Sequence, residues 1–246
     1  MWRLSWRSKR DPFPASAAAM IAVIISARND EAHLGTCLRS VREASRRRRL
    51  GGEAVLRLVV LDTCTDGSAA IARDGGAHTL RLQTGNIGAA RAQGAQWAVD
   101  RSARWLAFTD AESVVAPDWL SIQVALGTDV VCGTVGVRDW GEDGERLRRH
   151  YDAHYTDADG HQHIHGANLG VSADAYRRAG GFHPMAISDD VALVRALQAS
   201  GATIAWSAAP RVSTSAQRLF SAPVGFGATA QRIDAENRAF GTGAAA

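Results

Sequence analysis

Residues 20–41, MIAVIISARNDEAHLGTCLRSV, decide the fold. MIAVIIS is apolar almost throughout and rich in β-branched side chains, as a strand buried on both faces must be; a half-exposed strand would alternate with polar residues. The chain then changes character. ARNDEAHL reads as the start of a helix, with Asn29 placed to cap it and Asp30 and Glu31 bringing negative charge to its first turn. A buried strand feeding directly into a helix is the opening of a strand–helix–strand unit.

The same alternation runs to about residue 137. Apolar runs VLRLVVL, HTLRL, RWLAF and DVVCGTVGV are separated by helical stretches EAHLGTCLRSVREASRR, DGSAAIARDGG, IGAARAQGAQWAVDRS and APDWLSIQVAL. Such order predicts a mostly parallel sheet flanked by helices on both faces. Gly75–Gly76 stop the second helix and Pro117 suits a first helical position. The polar segment 140–165, rich in Asp and His, predicts a helix and a long surface loop. Regularity returns with GANLGVSADAYRRAGGF (166–182), SDDVALVRALQASG (188–201) and the strand-like ATIAWSA (202–208). RLFSAPVGFGATAQRI (218–233) reads as core packing or as an amphipathic element over the cleft, where Arg218 could reach a phosphate. No repeat or linker appears, so the expectation is a basic N-terminal tail over 1–18 and one domain over 19–246. Its first half is about 19–137 and its second about 138–246.

Composition narrows the classes. Hydrophobic content of 46%, charged content of 22% and a formal net charge of +3 fit an ordinary globular chain. The basic residues cluster in WRLSWRSKR and in Arg46–Arg49. These read as solvated surface, or as contacts for an anionic membrane or an acidic ligand. Nucleic acid is not expected, because no recognised binding motif or interleaved aromatic residues accompany the arginines. Three scattered cysteines, Cys37, Cys64 and Cys132, exclude a zinc or disulfide framework and suit a reducing, cytoplasmic setting. ASAAAMIAVIISA imitates a signal peptide, yet MIAVIIS serves equally as the first strand. No apolar run reaches membrane-spanning length.

Ligands of open parallel α/β sheets bind at the carboxyl ends of the strands. Those ends carry Ser26, Arg28, Asn29 and Asp30 on the first strand, Asp62 and Asp66 on the second, and Asp110 and Glu112 on the fourth. Any one of these sets could be a polar turn. Several acids converging on one edge repel each other unless a cation joins them. Mg²⁺ or Mn²⁺ carried on a diphosphate would serve, since hard ions favour oxygen ligands and keep substrate phosphates in their shell.

These residues carry a family resemblance. IAVIISARNDEAHLGTCLRSV, VVLDTCTDGSAAIAR, NIGAARAQGAQWA, RWLAFTDAES with PDWL, and GANLGVSADAYRRAGGF with SDDVALVRALQASG occur in the order found in family 2 glycosyltransferases. The resemblance covers about residues 20–207. It implies a single-domain GT-A (Rossmann-like) α/β fold with an acceptor-side C-terminal part. It also implies inverting, hexosyl-type transfer from a nucleotide-diphosphate sugar to a hydroxyl acceptor of unknown identity, assisted by Mn²⁺ or Mg²⁺.

By the same resemblance, Asp110 and Glu112 match the metal-binding DxD pair. Ser26, Arg28, Asn29, Glu31, Asp62, Asn86, Arg91 and Asp110 fall on the nucleotide and donor side. Asp189 and Asp190 match the catalytic ED pair, with Asp190 as general base. His165, Gly166, Ala167 and Asn168 fall on the acceptor and donor-sugar side. A bare structural reading of Asp189 and Asp190 also exists, because Ser188 can cap a helix whose dipole favours acids in its first turn.

Three departures stand out. Glu112 replaces the second aspartate. The second-strand motif is one residue short, which leaves open which acid Asp62 represents. PRVSTSAQR (210–218) has no histidine where many relatives supply a late metal ligand. Histidines concentrate instead at His150, His154, His161, His163, His165 and His183. HQHIH suits an exposed polar loop, a transition-metal site, or contact of His165 with the diphosphate or acceptor. Two other readings compete. A sugar nucleotidyltransferase would need a glycine-rich loop after the first strand, and the first glycine is Gly35. A non-catalytic nucleotide-sugar-binding or membrane-surface scaffold would tolerate the altered motifs.

Overall fold

The structure is a computed structural model and describes residues 20–140 and 144–215. The basic tail, the 218–233 element and Arg218 lie outside the described residues.

The first strand, β1 (Met20–Ala27), and helix α1 (Glu31–Ala44) form as the opening stretch dictates. They are followed by β2 (Ala54–Asp62), α2 (Ser68–Asp74), β3 (His78–Leu82), α3 (Ile87–Val99) and β4 (Ala103–Asp110). A short β5 (Val114–Val115), α4 (Trp119–Ala125), β6 (Val130–Asp139) and α5 (Gly144–His154) come next. The described residues close with β7 (Leu169–Ser172), α6 (Ala173–Arg178), α7 (Asp189–Ala199) and β8 (Ile204–Ser215). Among the described residues all eight strands join one sheet in the order β3-β2-β1-β4-β7-β6-β8-β5.

Pairings β1–β2, β1–β4, β2–β3 and β6–β8 are parallel, while β7 runs antiparallel to both β4 and β6. Two strands escaped the periodicity argument. Four residues (β7) and two residues (β5) are too short to show a period, and both exist only because neighbouring strands supply hydrogen-bond partners. β8 continues to Ser215, beyond the expected end near residue 208, because its second half pairs along β6 from Val135–Val212 to Asp139–Ser215.

Strands β1, β2 and β4 are largely buried on both faces, as their apolar runs require, whereas the edge strand β3 alternates between half-buried and exposed positions. Ala22 and Ile24 pack with Leu58, Val60, Leu106 and Phe108 under α3, α6 and α7. Ile21, Val23 and Ile25 pack on the other face with Val59, Leu61, Leu34, Leu38 and Val41. Helix α3 presents Ala90, Ala95 and Ala98 to the sheet, and such small side chains let the helix lie close to it.

The second half is pinned by Asn168. Its carboxamide oxygen accepts from Trp119 Nε1 at 2.9 Å, and its nitrogen donates to the carbonyls of Thr134 and Pro210, both at 2.7 Å. The residue is fully buried and joins α4, β6 and β8 at one point. Strand order reverses between β1 and β4, which makes their carboxyl ends the topological switch point.

Asn168→Ala is expected to destabilise the protein by about 2–4 kcal/mol, because it leaves one buried donor and two buried acceptors unpaired. Urea unfolding checks this, and a loss below about 1 kcal/mol would mean that water or relaxation replaces the carboxamide.

Candidate active site

The sheet register brings the acids together. Ser26 at the end of β1 faces Asp110 at the end of β4, so the turn Asp110–Ser113 lies beside the β1–α1 loop. A pocket of about 270 Å³ opens there, lined by Ser26, Arg28, Asp30, Asp62, Asn86, Asp110 and Glu112, among others. A second, of about 180 Å³, is lined by Arg91, Asp110, Glu112, His165, Gly166, Ala167 and Asp190 among others. Asp110 and Glu112 line both. The two pockets form one cleft divided by this acid pair.

Beneath the divide lies Arg91, projected from the first turns of α3. One guanidinium nitrogen bonds both carboxylate oxygens of Asp189, at 3.1 and 3.0 Å, and another bonds Asp110 Oδ1 at 2.9 Å. Arg91 and Asp189 side chains are about 5% and 4% exposed, against 22% for Asp110. Burial opposes the guanidinium's charge, but the carboxylates of Asp110, Asp189 and Asp190 outweigh it and hold it firmly protonated. The backbone of Gly166 lies on the guanidinium: a Cβ there would come within 2.3 Å of it, so only glycine fits. The Gly166 N–H in turn donates to Asp190 Oδ2 at 2.7 Å. Asp110, Arg91, Asp189, Asp190 and Gly166 therefore form one connected unit.

The two acids of α7 have different fates. Asp189 is spent on Arg91 and lines neither pocket. Asp190 opens onto the second pocket, and burial, with some help from Asp189, raises its pKa against the pull of Arg91. Ser188 precedes them in the left-handed region, at φ 60°, and its side chain makes no capping bond. The helix-cap explanation for these acids loses its hydroxyl, and the conformational strain sits directly before the pair.

Other expected residues divide as follows. Asp62 lies in the first pocket but is fully engaged: its carboxylate accepts from Thr84 N, Thr84 Oγ1 and Asn86 N at 2.7–2.9 Å. Burial pushes its pKa up, these donors push it down, and the donors win. Asn86 caps α3 through Ala89 N and donates to the Pro184 carbonyl, at 3.3 Å. Residues 183–185 pass directly over Gly88, where a Cβ would meet the His183 carbonyl at 2.4 Å. Ser26 Oγ is a buried atom with no partner among the described residues, beside the first pocket.

Asn29 and Glu31 do not line the cleft. Asn29 sits at φ 55° and accepts from Thr65 N, so it braces the next loop rather than capping α1, whose N-cap is Asp30. Glu31 accepts from Gly67 N at 2.6 Å and is likewise a loop brace. Asn168 is excluded by its burial, and Arg91 lies under the acids rather than over the nucleotide side. Ser113, Val135 and Thr214 line the cleft without having been singled out as site residues. Nothing local marks Val135 or Thr214; the β6–β8 pairing brings them there.

The HQHIH segment is not an exposed loop. His161 is 2% exposed, and Tyr151, Tyr155, His163 and His161 stack in series at 4.4, 4.1 and 5.6 Å. Among the described residues no group of three metal-ligating side chains forms.

Arg91→Met is expected to cost about 3–5 kcal/mol, because it strands two carboxylates beside a buried position. Arg91→Lys should cost less, keeping the charge but losing the fork. Chemical denaturation of both variants tests this ranking.

The chain can now be set beside known proteins. The model for "Glycosyl transferase family 2" matches residues 22–184. A search of curated sequences finds no match. S. aureus TarS superposes with a TM-score of 0.58 at 15% identity, over 89% of this chain and 42% of that one. The mannosyltransferase PcManGT of Pyrobaculum calidifontis, in complex with GDP-Man and Mn²⁺, gives 0.55 at 18% identity, over 83% and 61%. Glucosyl-3-phosphoglycerate synthase of Mycobacterium tuberculosis, with Mg²⁺ and uridine diphosphate, gives 0.55 at 16% identity, over 80% and 70%. The chain thus spans less than half of TarS and about six-tenths of PcManGT. At these identities the superpositions speak for the fold, a mixed α/β GT-A sheet with flanking helices. The sequence match, extending over well more than half of the 246 residues, decides the rest: this chain belongs to glycosyltransferase family 2.

Proposed function

We propose that the protein transfers a sugar, with inversion, from a nucleoside-diphosphate sugar to a hydroxyl acceptor. The observation that carries this is the two-part cleft meeting at Asp110 and Glu112, with Asp190 in its second part. A nucleoside suits the first pocket, the diphosphate the acid pair, and the sugar the second pocket. The superposed structures bind GDP-Man with Mn²⁺ and UDP with Mg²⁺, which supports the same donor class here.

Asp110 and Glu112 are suited to hold a divalent cation. Arg91 takes Asp110 Oδ1, so Asp110 would offer the ion its Oδ2, with Glu112 as the second carboxylate. Two carboxylates with phosphate oxygens and water make a reasonable set for a hard ion. When bound, the ion would neutralise charge developing on the leaving diphosphate.

Asp190 is the base. It takes the proton of the acceptor hydroxyl as that oxygen bonds to the anomeric carbon. The bond from that carbon to the diphosphate oxygen breaks, and the electron pair leaves with the nucleoside diphosphate. Burial raises the pKa of this carboxylate, while Arg91 and the Gly166 N–H favour its ionised form, the one able to accept the proton.

Thermal-shift screening of nucleoside diphosphates with and without Mn²⁺ tests the donor reading. Stabilisation by one nucleotide, dependent on metal, is the expected result, and indifference to all of them would reject it. Glu112→Gln should weaken the metal-dependent part. Asp190→Asn should keep nucleotide binding and abolish transfer; binding without transfer in the unaltered protein would favour the scaffold instead. Because Asp190 must be deprotonated and its pKa is raised, activity should fall with acidification on a limb above the ordinary aspartate value of 3.8.

A peripheral contact with an anionic membrane is part of this proposal. Arg46–Arg49 are all exposed on one surface turn, anchored by Arg47 bonding the Pro117 carbonyl at 3.0 Å. No helix among the described residues is long and apolar enough to cross a membrane. Replacing Arg46, Arg48 and Arg49 by Gln should weaken sedimentation with phosphatidylserine vesicles at low salt, and unchanged sedimentation would discard the contact.

A further inference from the structure

We propose that His165 donates a hydrogen bond to a hydroxyl of the transferred sugar, and that Tyr155 holds its ring in the tautomer able to do so. The inference rests on the donor reading above.

Position comes first. His165 lines the second pocket beside Gly166, Ala167 and Asp190, across the acid pair from the nucleoside side. A group following the diphosphate would lie there. Asp110, Glu112 and Asp190 present carboxylates, which only accept hydrogen bonds when ionised. Sugar hydroxyls can satisfy these, but their own oxygens then need donors, and an imidazole N–H supplies one.

The tautomer follows from a directed chain of hydrogen bonds. The Val135 N–H donates to Tyr155 Oη at 2.8 Å, and Tyr155 Oη lies 2.9 Å from His165 Nε2. An oxygen already accepting a hydrogen bond becomes a better donor, and a phenol is a stronger acid than a neutral imidazole. The phenol hydrogen therefore goes to Nε2, and the ring's own hydrogen sits on Nδ1. Among the described residues Nδ1 has no hydrogen-bond partner.

The arrangement is rigid. Tyr151 Oη donates to the Val135 carbonyl at 3.1 Å, so the two phenols grip the Val135 residue of β6 from both its polar groups. Tyr155 is sandwiched between Tyr151 at 4.4 Å and His163 at 4.1 Å. The neighbouring rings are held by backbone donors too: His163 Nε2 accepts from Thr156 N, and His161 Nδ1 accepts from His163 N. Burial foremost, then His163 and His161, keep the His165 ring well below the usual imidazole range. On the cleft side it shares the pocket with Asp190, Arg91, Asp110 and Glu112. His165 also immediately precedes Gly166, whose N–H holds Asp190, so the donor and the base stand on one short piece of backbone.

The test is calorimetric titration, with Mn²⁺, of UDP and GDP and of their hexose and N-acetylhexosamine derivatives. His165→Ala and Tyr155→Phe should weaken the bound nucleotide sugar about ten-fold, the loss expected for one hydrogen bond of about 1.4 kcal/mol. The parent diphosphate should bind within about two-fold of normal, and His165→Asn, which keeps a donor, should recover part of the loss. Side-chain nitrogen NMR provides a reading independent of binding. The His165 ring should carry its proton on Nδ1 and not titrate between about pH 5 and 8, while Tyr155→Phe, which removes the donor to Nε2, should move part of the ring proton to Nε2. Equal losses for diphosphate and nucleotide sugar, no loss for either, or a proton on Nε2 would overturn the assignment. Failure of the unaltered protein to bind any diphosphate would instead strike the donor reading on which it rests.

Discussion

One buried guanidinium sets the geometry of this protein. Arg91 reaches Asp110 at the end of β4 and Asp189 at the start of α7, two elements far apart in sequence and on opposite halves of the sheet. A charge at this depth is tolerated only when its bonds are complete, and its two carboxylate partners leave little freedom in their spacing. The separation between the acid pair and Asp190 is inherited from that constraint. So is the glycine at 166, since the guanidinium fills the space that a side chain would need.

The sheet explains why such a bridge is possible. Parallel strands β3, β2, β1 and β4 build a nucleotide-type half whose carboxyl ends diverge at the β1–β4 switch point. Antiparallel β7 then attaches the second half directly to β4. The second half is not a separate body docked on the first: it continues the same hydrogen-bonded ladder, and Asn168 pins its layers to α4. Arg91 crosses this continuous sheet edge, so Asp110 and the Asp189–Asp190 pair share one rigid platform. The Tyr–His stack adds a third fixed wall.

Much of this was legible from residues alone. The unbroken apolar strands, the order of helices between them and the clustering of acids at strand ends follow from local chemistry, and the family motifs lie in that order. What misled was polarity next to the cleft. Asn29 and Glu31 have the residue types and the position of ligand-binding groups, yet their side chains satisfy the backbone of the neighbouring loop, Thr65 and Gly67. Asn168 has the same appearance and is buried. A polar side chain near a site binds ligand or braces backbone according to which donors lie within about 3 Å of it, and sequence does not carry that distance.

The histidine-rich segment shows the same boundary from the other side. Its composition suggested exposure, but flat rings bury well when they stack and when one nitrogen of each finds a partner. Hydrophobic runs, helix periodicity and motif order determined the α/β class, the position of the site edge and the identity of its acids. Tertiary structure alone decided which acid of Asp189–Asp190 is buried against Arg91 and which faces the cleft. The reason is physical: adjacent residues at a helix start point in different directions, and only the packing of α3 beneath α7 determines which direction holds the cation.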